Sequence, residues 1–140
     1  MDVSIKPKDM EHWIRVSLRV YPYVFGFEHP LEREIEDSLL IDKDWAMEWI
    51  RPLCCGPKPD LDFISLMGRI DNLDLKFKVE LITHCLRSSD IQVRDAAIQC
   101  AEEWGGEKME QILRNHLKTE TCGFLADYAE KVINEMDRGE

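Results

Sequence analysis

The feature that most constrains this chain is a helical spacing of small and apolar residues in its second half. They stand at positions i, i+3, i+4, i+7, i+8 and i+11, and they are Val93, Ala96, Ala97, Cys100, Ala101 and Trp104. In an α-helix this spacing places all six side chains on one face. Asp90 is well suited to cap the start of such a helix, and Gly105-Gly106 to end it. The segment therefore predicts an amphipathic helix whose apolar face has to pack against a neighbour.

The same spacing returns near the end of the chain, at Leu125, Tyr128, Ala129, Val132, Ile133 and Met136. An apolar series also precedes each of these two helices: Leu75, Val79, Ile82 and Leu86 before the first, and Met109, Ile112, Leu113 and Leu117 before the second. Residues 71–140 are therefore predicted to form two helical hairpins. Since one hairpin cannot bury all of its apolar surface, we expect the two to stack side by side.

Residues 1–70 show a less regular pattern. The segment from Asp9 to Tyr21 fits a helix that carries one apolar face, formed by Met10, Trp13, Ile14, Leu18 and Tyr21. It also fits a strand, because apolar residues alternate at Ile14, Val16, Leu18 and Val20. We favour the helix, ended by Pro22, because nothing else in the chain offers a partner strand.

Three further helices are predicted in this part of the chain. The first begins at Pro30 and carries Leu31, Ile35, Leu39 and Leu40. The second begins at Asp44 and carries Trp45, Trp49, Ile50 and Leu53, and Pro52 is expected to end or bend it. The third is capped by Asp60 and carries Leu61, Ile64, Met67 and Ile70.

An aromatic segment, Tyr23 to His29, lies between the first two helices of the chain. Its rings either fill the core or form an exposed binding edge. We expect them to fill the core, because buried aromatic side chains dominate small cores.

The segment that begins at Asp90 also resembles a known repeat. Asp90-Ile-Gln-Val93-Arg94-Asp-Ala96-Ala97 is similar to the start of the second helix of a HEAT repeat, where an Asp-containing turn precedes a Val-Arg pair and two small residues. The resemblance covers residues 75–136 best and residues 1–70 least. It implies an all-α fold of stacked antiparallel hairpins, a HEAT/ARM-like α-solenoid with about seven or eight helices. By its length the chain is predicted to be a single domain over residues 1–140.

Composition limits the environment and the partners of the chain. The formal net charge is −10, from 28 acidic and 18 basic residues. Such a charge repels phosphate backbones and attracts basic proteins. The chain has no apolar run of about 18 residues, so we expect no membrane association, and the N-terminus lacks an apolar signal core. Its five cysteines are an odd number, and we expect thiols in a reducing cytoplasm.

Motifs for catalysis and cofactors are missing from the sequence. It contains no CxxC, HExxH, GxSxG, P-loop or GxGxxG pattern. His84 and Cys85 are adjacent and would point in two directions from a helix, and neither His12 nor His116 has a partner at a useful spacing. We therefore expect no enzymatic activity, no metal and no cofactor.

The polar faces suggest where a partner would bind. In the HEAT family the second helices of the repeats line the concave side, where partners usually bind. On this chain those helices would present Asp95, Gln99, Glu102, Glu103, Asp127 and Glu130. A second acidic block, residues 32–48, holds seven acidic and two basic residues and includes Glu34 and Asp37. Either patch is also explained by an ordinary solvated helix face.

These observations favour a protein that binds a basic protein partner and no nucleic acid, because a duplex would meet carboxylates. In size, charge and lack of chemistry the chain resembles immunity proteins, which occlude the active site of a basic nuclease toxin. The alternative is a HEAT-type adaptor that binds a cellular protein or peptide. A more distant alternative is a HEAT-like lyase or DNA glycosylase.

Overall fold

A computed structural model of the chain describes residues 3–138. Within these residues it contains eight α-helices and no strand, which confirms the predicted all-α class and the number of helices. The helices are α1 (Pro7–Val20), α2 (Pro30–Ile41), α3 (Lys43–Cys55), α4 (Leu61–Met67), α5 (Leu75–Leu86), α6 (Ile91–Trp104), α7 (Glu107–Leu117) and α8 (Gly123–Asp137). Among the described helices, none has the length and apolar character needed to cross a membrane. The chain divides after Asp74 into two compact units.

The first unit is built around α3, which contacts α1, α2 and α4. The four apolar residues predicted for this helix, Trp45, Trp49, Ile50 and Leu53, are all buried. Trp49 packs edge-on against Phe63 of α4, with the ring centroids 6.5 Å apart. The cap of α3 is Asp42 and not Asp44, and the helix continues through Pro52 to Cys55. The Sγ atoms of Cys54 and Cys55 lie 4.0 Å apart, about twice the length of a disulfide bond.

Helix α1 forms in place of the alternative strand. Met10, Ile14 and Leu18 are buried, as predicted, whereas Trp13 and Tyr21 are exposed. Trp13 lies at the edge of the predicted face, and Tyr21 follows the last helical residue, where the helical spacing no longer fixes its direction. Leu40, within α2, is exposed because it lies about 100° around the helix from Leu39 and so points away from the buried face.

The start of α2 is held by a buried histidine. The ring of His29 donates from Nε2 to the Tyr21 carbonyl at 2.7 Å and accepts at Nδ1 from the Leu31 N–H at 3.1 Å. The Glu32 carboxylate accepts from the His29 backbone N–H at 2.6 Å and from Arg69 at 2.8 Å. These contacts cap α2 and tie it to the end of α1.

The aromatic segment between α1 and α2 does not fill the core, so that expectation was wrong. Phe25 and Phe27 are 66% and 69% exposed, and Val24 is exposed as well. The interior of this unit is occupied instead by Trp49 and Phe63.

The second unit consists of two helical hairpins that pack on each other. Helix α5 contacts α6, α7 contacts α8, and α6 contacts both α7 and α8. The predicted faces of α6 and α8 are buried except for three residues that are partly exposed, Trp104, Tyr128 and Met136. On α5 the buried face differs in part from the predicted one. Leu75 is exposed because it is the first residue of the helix, and Phe77, Leu81 and Cys85 are buried beside Ile82 and Leu86.

A buried ion pair connects the start of α6 to the loop between α7 and α8. Arg94 donates from Nε and Nη2 to the two carboxylate oxygens of Glu120, at 3.1 and 3.0 Å, and from Nη1 to the Ser88 carbonyl at 2.9 Å. Glu120 also accepts from the Cys122 N–H at 3.0 Å and lies 2.7 Å from Nε2 of His116. The Glu120 side chain is fully buried, which raises its pKa, but the hydrogen bonds from Arg94, Cys122 and His116 outweigh burial and lower the pKa to about 2.

Candidate functional site: an acidic surface on the second unit

The predicted partner-binding residues of the second unit lie on α6 and α8. We call the set the acidic strip; it consists of Asp95, Gln99, Glu102, Glu103, Asp127 and Glu130. Asp95 and Gln99 are half-buried, and the other four side chains are exposed. The four residues of α6 stand at i, i+4, i+7 and i+8, the spacing that keeps a helical face together.

A tyrosine joins the two helices of the strip. The Tyr128 hydroxyl donates to the Glu102 carboxylate at 2.7 Å. The pKa of Tyr128 is raised by burial, by this hydrogen bond and by the charges of Glu102, Asp95 and Glu103. Three acidic side chains of α6 therefore act on one hydroxyl of α8. The sequence placed Tyr128 only on an apolar face, and it gave no sign of this contact.

Asp95 is the least solvated carboxylate of the strip. Burial raises the pKa of Asp95, and a hydrogen bond from the Gln99 amide, at 2.9 Å, opposes that rise. Gln99 therefore holds the Asp95 carboxylate in place while adding no charge of its own. A partly desolvated carboxylate interacts with a partner's cation more strongly than a fully hydrated one.

Two adjoining cavities lie on the same unit. One, of about 530 Å³, is lined by Glu102, Trp104, Gly105, Gly106, Val132, Glu135, Met136 and Arg138. The other, of about 380 Å³, is lined by Asp127, Glu130, Lys131, Asn134, Glu135 and Arg138. Glu135 and Arg138 line both cavities, and the strip residues Glu102, Asp127 and Glu130 each line one of the two. Sequence reasoning missed Trp104, Glu135 and Arg138 as surface residues of this site.

Glu34 and Asp37, the other two predicted partner-binding residues, belong to α2 of the first unit. Glu34 is half-buried and Asp37 is exposed. The pKa of the neighbouring Glu36 is raised by burial and then by the charges of Asp71, Glu32, Asp37 and Glu28. The first unit thus carries an acidic cluster of its own.

No catalytic arrangement emerges around the histidines of the described residues. Cys85 is buried and His84 is exposed, so the two side chains point in different directions, as the sequence predicted. His116 does have a partner, Glu120 four residues on, but that carboxylate is engaged by Arg94. Across residues 3–138, no group of three or more His, Cys, Asp or Glu side chains could hold a metal ion.

The exposed aromatic segment forms a second candidate surface, within the first unit. A cavity of about 320 Å³ is lined there by Tyr21, Pro22, Val24, Phe27, Glu28 and His29. Its apolar rings face solvent, which is common at protein-binding sites.

Comparison of the chain with models of protein families, with curated proteins and with solved structures found no match.

Proposed function

We propose that this chain is an acidic protein-binding domain that neutralises a basic protein. In its most specific form the partner is a nuclease toxin, whose phosphate-binding site is covered by the carboxylates of this chain. The proposal rests on one observation: the Tyr128 hydroxyl of α8 donates to the Glu102 carboxylate of α6 at 2.7 Å, which joins the acidic faces of two helices that pack on each other. Charges of one sign held together on two packed helices make a surface complementary to a basic active site.

The overall charge supports the same partner. An excess of acidic residues gives a net charge of −10, and the resulting field accelerates encounter with a basic protein. It also opposes direct binding to nucleic acid. The cytoplasm remains the predicted location.

We further infer that residues 75–136 are HEAT-like repeats. Two features support this inference: the two hairpins pack on each other, and Arg94, at the start of a second helix, reaches Glu120 in the following hairpin. In this arrangement α6 and α8 are the second helices of successive repeats, which carry the partner-binding surface in that family.

The test uses charge reversal at strip residues that the fold does not need. Glu103, Asp127 and Glu130 are exposed and make no hydrogen bond or ion pair with other described residues. Their simultaneous replacement by Lys should leave the helical circular dichroism unchanged. It should weaken binding to a basic protein captured from the native source, identified by mass, by at least about tenfold. Loss of the captured nuclease's inhibition should accompany the loss of binding.

The matched control reverses three other exposed acids, Asp9, Asp44 and Glu48, and so produces the same net charge. A separate pair, Glu34→Lys with Asp37→Lys, tests the cluster of the first unit. If the strip variant binds its partner as tightly as the control variant, the strip is not the binding surface.

The exposed aromatic segment supports a second candidate, an adaptor that binds an apolar peptide or helix. Such binding would depend on Val24, Phe25 and Phe27 and only weakly on salt. Replacing Phe25 and Phe27 by Ser would abolish it, whereas the strip variant would not affect it. The two candidate functions therefore predict different results: the strip variant loses a basic protein partner, whereas the variant with Ser at 25 and 27 loses an apolar peptide.

A further inference from the structure

We infer that the cavity of about 530 Å³ in the second unit receives an arginine side chain of the basic partner. The inference rests on the proposed function for the nature of that partner and deepens it. It turns a diffuse acidic surface into one with a specific anchoring position.

The lining of the cavity combines apolar and acidic groups. Trp104, Val132 and Met136 supply apolar surface, and Glu102 and Glu135 supply carboxylates. A guanidinium group suits both, because it stacks on aromatic rings and forms hydrogen bonds with carboxylates in its plane. The volume also lies within the range of about 300–1,000 Å³ that is usual for binding pockets.

The helix ends around the cavity favour a cation over an anion. Glu102 and Trp104 stand in the last turn of α6, and Glu135 and Met136 in the last turn of α8. Carbonyl groups at the C-terminal end of a helix carry partial negative charge. The start of α7, next to Gly106, has the opposite polarity, but Glu107 in its first turn offsets it.

Trp104 already contacts a cation within its own unit. The Lys78 ammonium lies 5.4 Å from the centroid of the Trp104 ring, and Lys78 does not line the cavity. One cation is therefore accommodated beside this ring without entering the cavity. Arg138 adds one positive charge to the lining, against the two carboxylates of Glu102 and Glu135.

The turn between α6 and α7 forms part of the cavity wall through Gly105 and Gly106. Gly105 and Gly106 both have positive φ angles, of 65° and 93°, which glycine adopts readily and other residues do not. This turn directs the chain out of α6 and into α7 beside the indole of Trp104. The two consecutive glycines therefore line the cavity as well as ending α6.

The experiment uses a short peptide, acetyl-Gly-Arg-Gly-Arg-Gly-amide, as the probe, and the same peptide with citrulline for arginine as its neutral counterpart. Binding is followed by the indole N–H signals of the tryptophans in ¹H–¹⁵N spectra, with Trp104→Phe used to assign the signal of Trp104. The arginine peptide should shift that signal saturably, and the citrulline peptide should not. Glu135→Gln should weaken binding by about threefold, and Trp104→Leu, checked for folding by circular dichroism, by about three- to fivefold.

The control Asp9→Asn removes one exposed carboxylate from the first unit, outside both acidic patches, and it should leave peptide binding unchanged. The inference is overturned if the citrulline peptide shifts the Trp104 signal equally, if the arginine peptide does not shift it, or if Asp9→Asn weakens binding as much as Glu135→Gln. Failure of the proposed function would look different. The strip variant with Lys at 103, 127 and 130 would then still bind its protein partner, whether or not the arginine peptide binds the cavity.

Discussion

At the scale of single residues, Glu120 is the group whose removal the second unit should tolerate least. Its carboxylate is buried and satisfies Arg94, the Cys122 N–H and His116. Removal of one member of a buried ion pair leaves the other charge desolvated without compensation.

We expect Glu120→Gln to lower the free energy of unfolding by about 3 kcal/mol at neutral pH. Glu110→Gln is the matched control, because Glu110 also pairs with an arginine, Arg114, but at the surface. The control should cost less than about 1 kcal/mol. Urea unfolding followed by circular dichroism measures both, and equal losses would show that Glu120 contributes no more than a surface pair.

The same carboxylate makes stability depend on pH in acid. The pKa of Glu120 is about 2 in the folded protein and ordinarily 4.5, so the unfolded chain takes up the proton first as the pH falls. Its stabilisation is therefore fully present above about pH 4.5 and is lost progressively towards pH 2. The difference in unfolding free energy between the wild type and Glu120→Gln should shrink over this range. A difference that stays constant between pH 6 and pH 3 would contradict the assignment.

Gly56 illustrates a constraint that only the coordinates reveal. A Cβ atom at this position would lie 2.7 Å from the Pro52 carbonyl oxygen, a backbone atom that cannot easily move. Gly56→Ala should therefore destabilise the protein by about 1–3 kcal/mol. Gly123→Ala has open space and should be neutral or stabilising by up to about 1 kcal/mol. Thermal unfolding of the two variants decides the point, and similar changes in both would rule out the clash.

At the scale of elements, the sequence predicted helices well where their apolar spacing was long and regular. The faces of α6 and α8 follow from six positions each, and most of those positions are buried. The start of α3 was misplaced because Asp42 and Asp44 are equally good caps in sequence, and only the hydrogen bond from the Trp45 N–H to Asp42 distinguishes them. The cap of α2 was missed because histidine rarely takes that role.

The aromatic segment shows why the burial of a loop is harder to predict from sequence than the buried face of a helix. Its composition is compatible with burial or exposure, and no periodicity selects between them. The outcome depends on whether the core has room, and Trp49 and Phe63 already occupy it.

We therefore expect Phe27→Ser to change the free energy of unfolding by no more than about 0.5 kcal/mol, as for other surface sites. Phe63→Ala, a fully buried position, should cost about 3–5 kcal/mol. Chemical denaturation of the two variants makes the comparison. A large loss in Phe27→Ser would mean that the ring is buried after all.

At the scale of the whole molecule, the acidic character could be read directly from the sequence, and the site only in part. The strip residues of α6 and α8 could be named in advance, since helical spacing places them on shared faces. Their connection through Tyr128, and the cavity beside Trp104, could not. Both depend on how α6 and α8 pack, which no local pattern encodes. The sequence likewise gave no means of ranking the strip above the cluster that contains Glu34 and Asp37.

The most direct test of the account is the salt dependence of the association rate between this chain and its captured basic partner. Surface plasmon resonance between about 0.05 and 0.5 M salt should show the wild-type rate falling steeply, because long-range attraction is screened. The variant with Lys at 103, 127 and 130 should associate slowly, with little dependence on salt. A wild-type association rate that is insensitive to salt, or that this variant reproduces, would contradict the claim that the acidic strip attracts the partner.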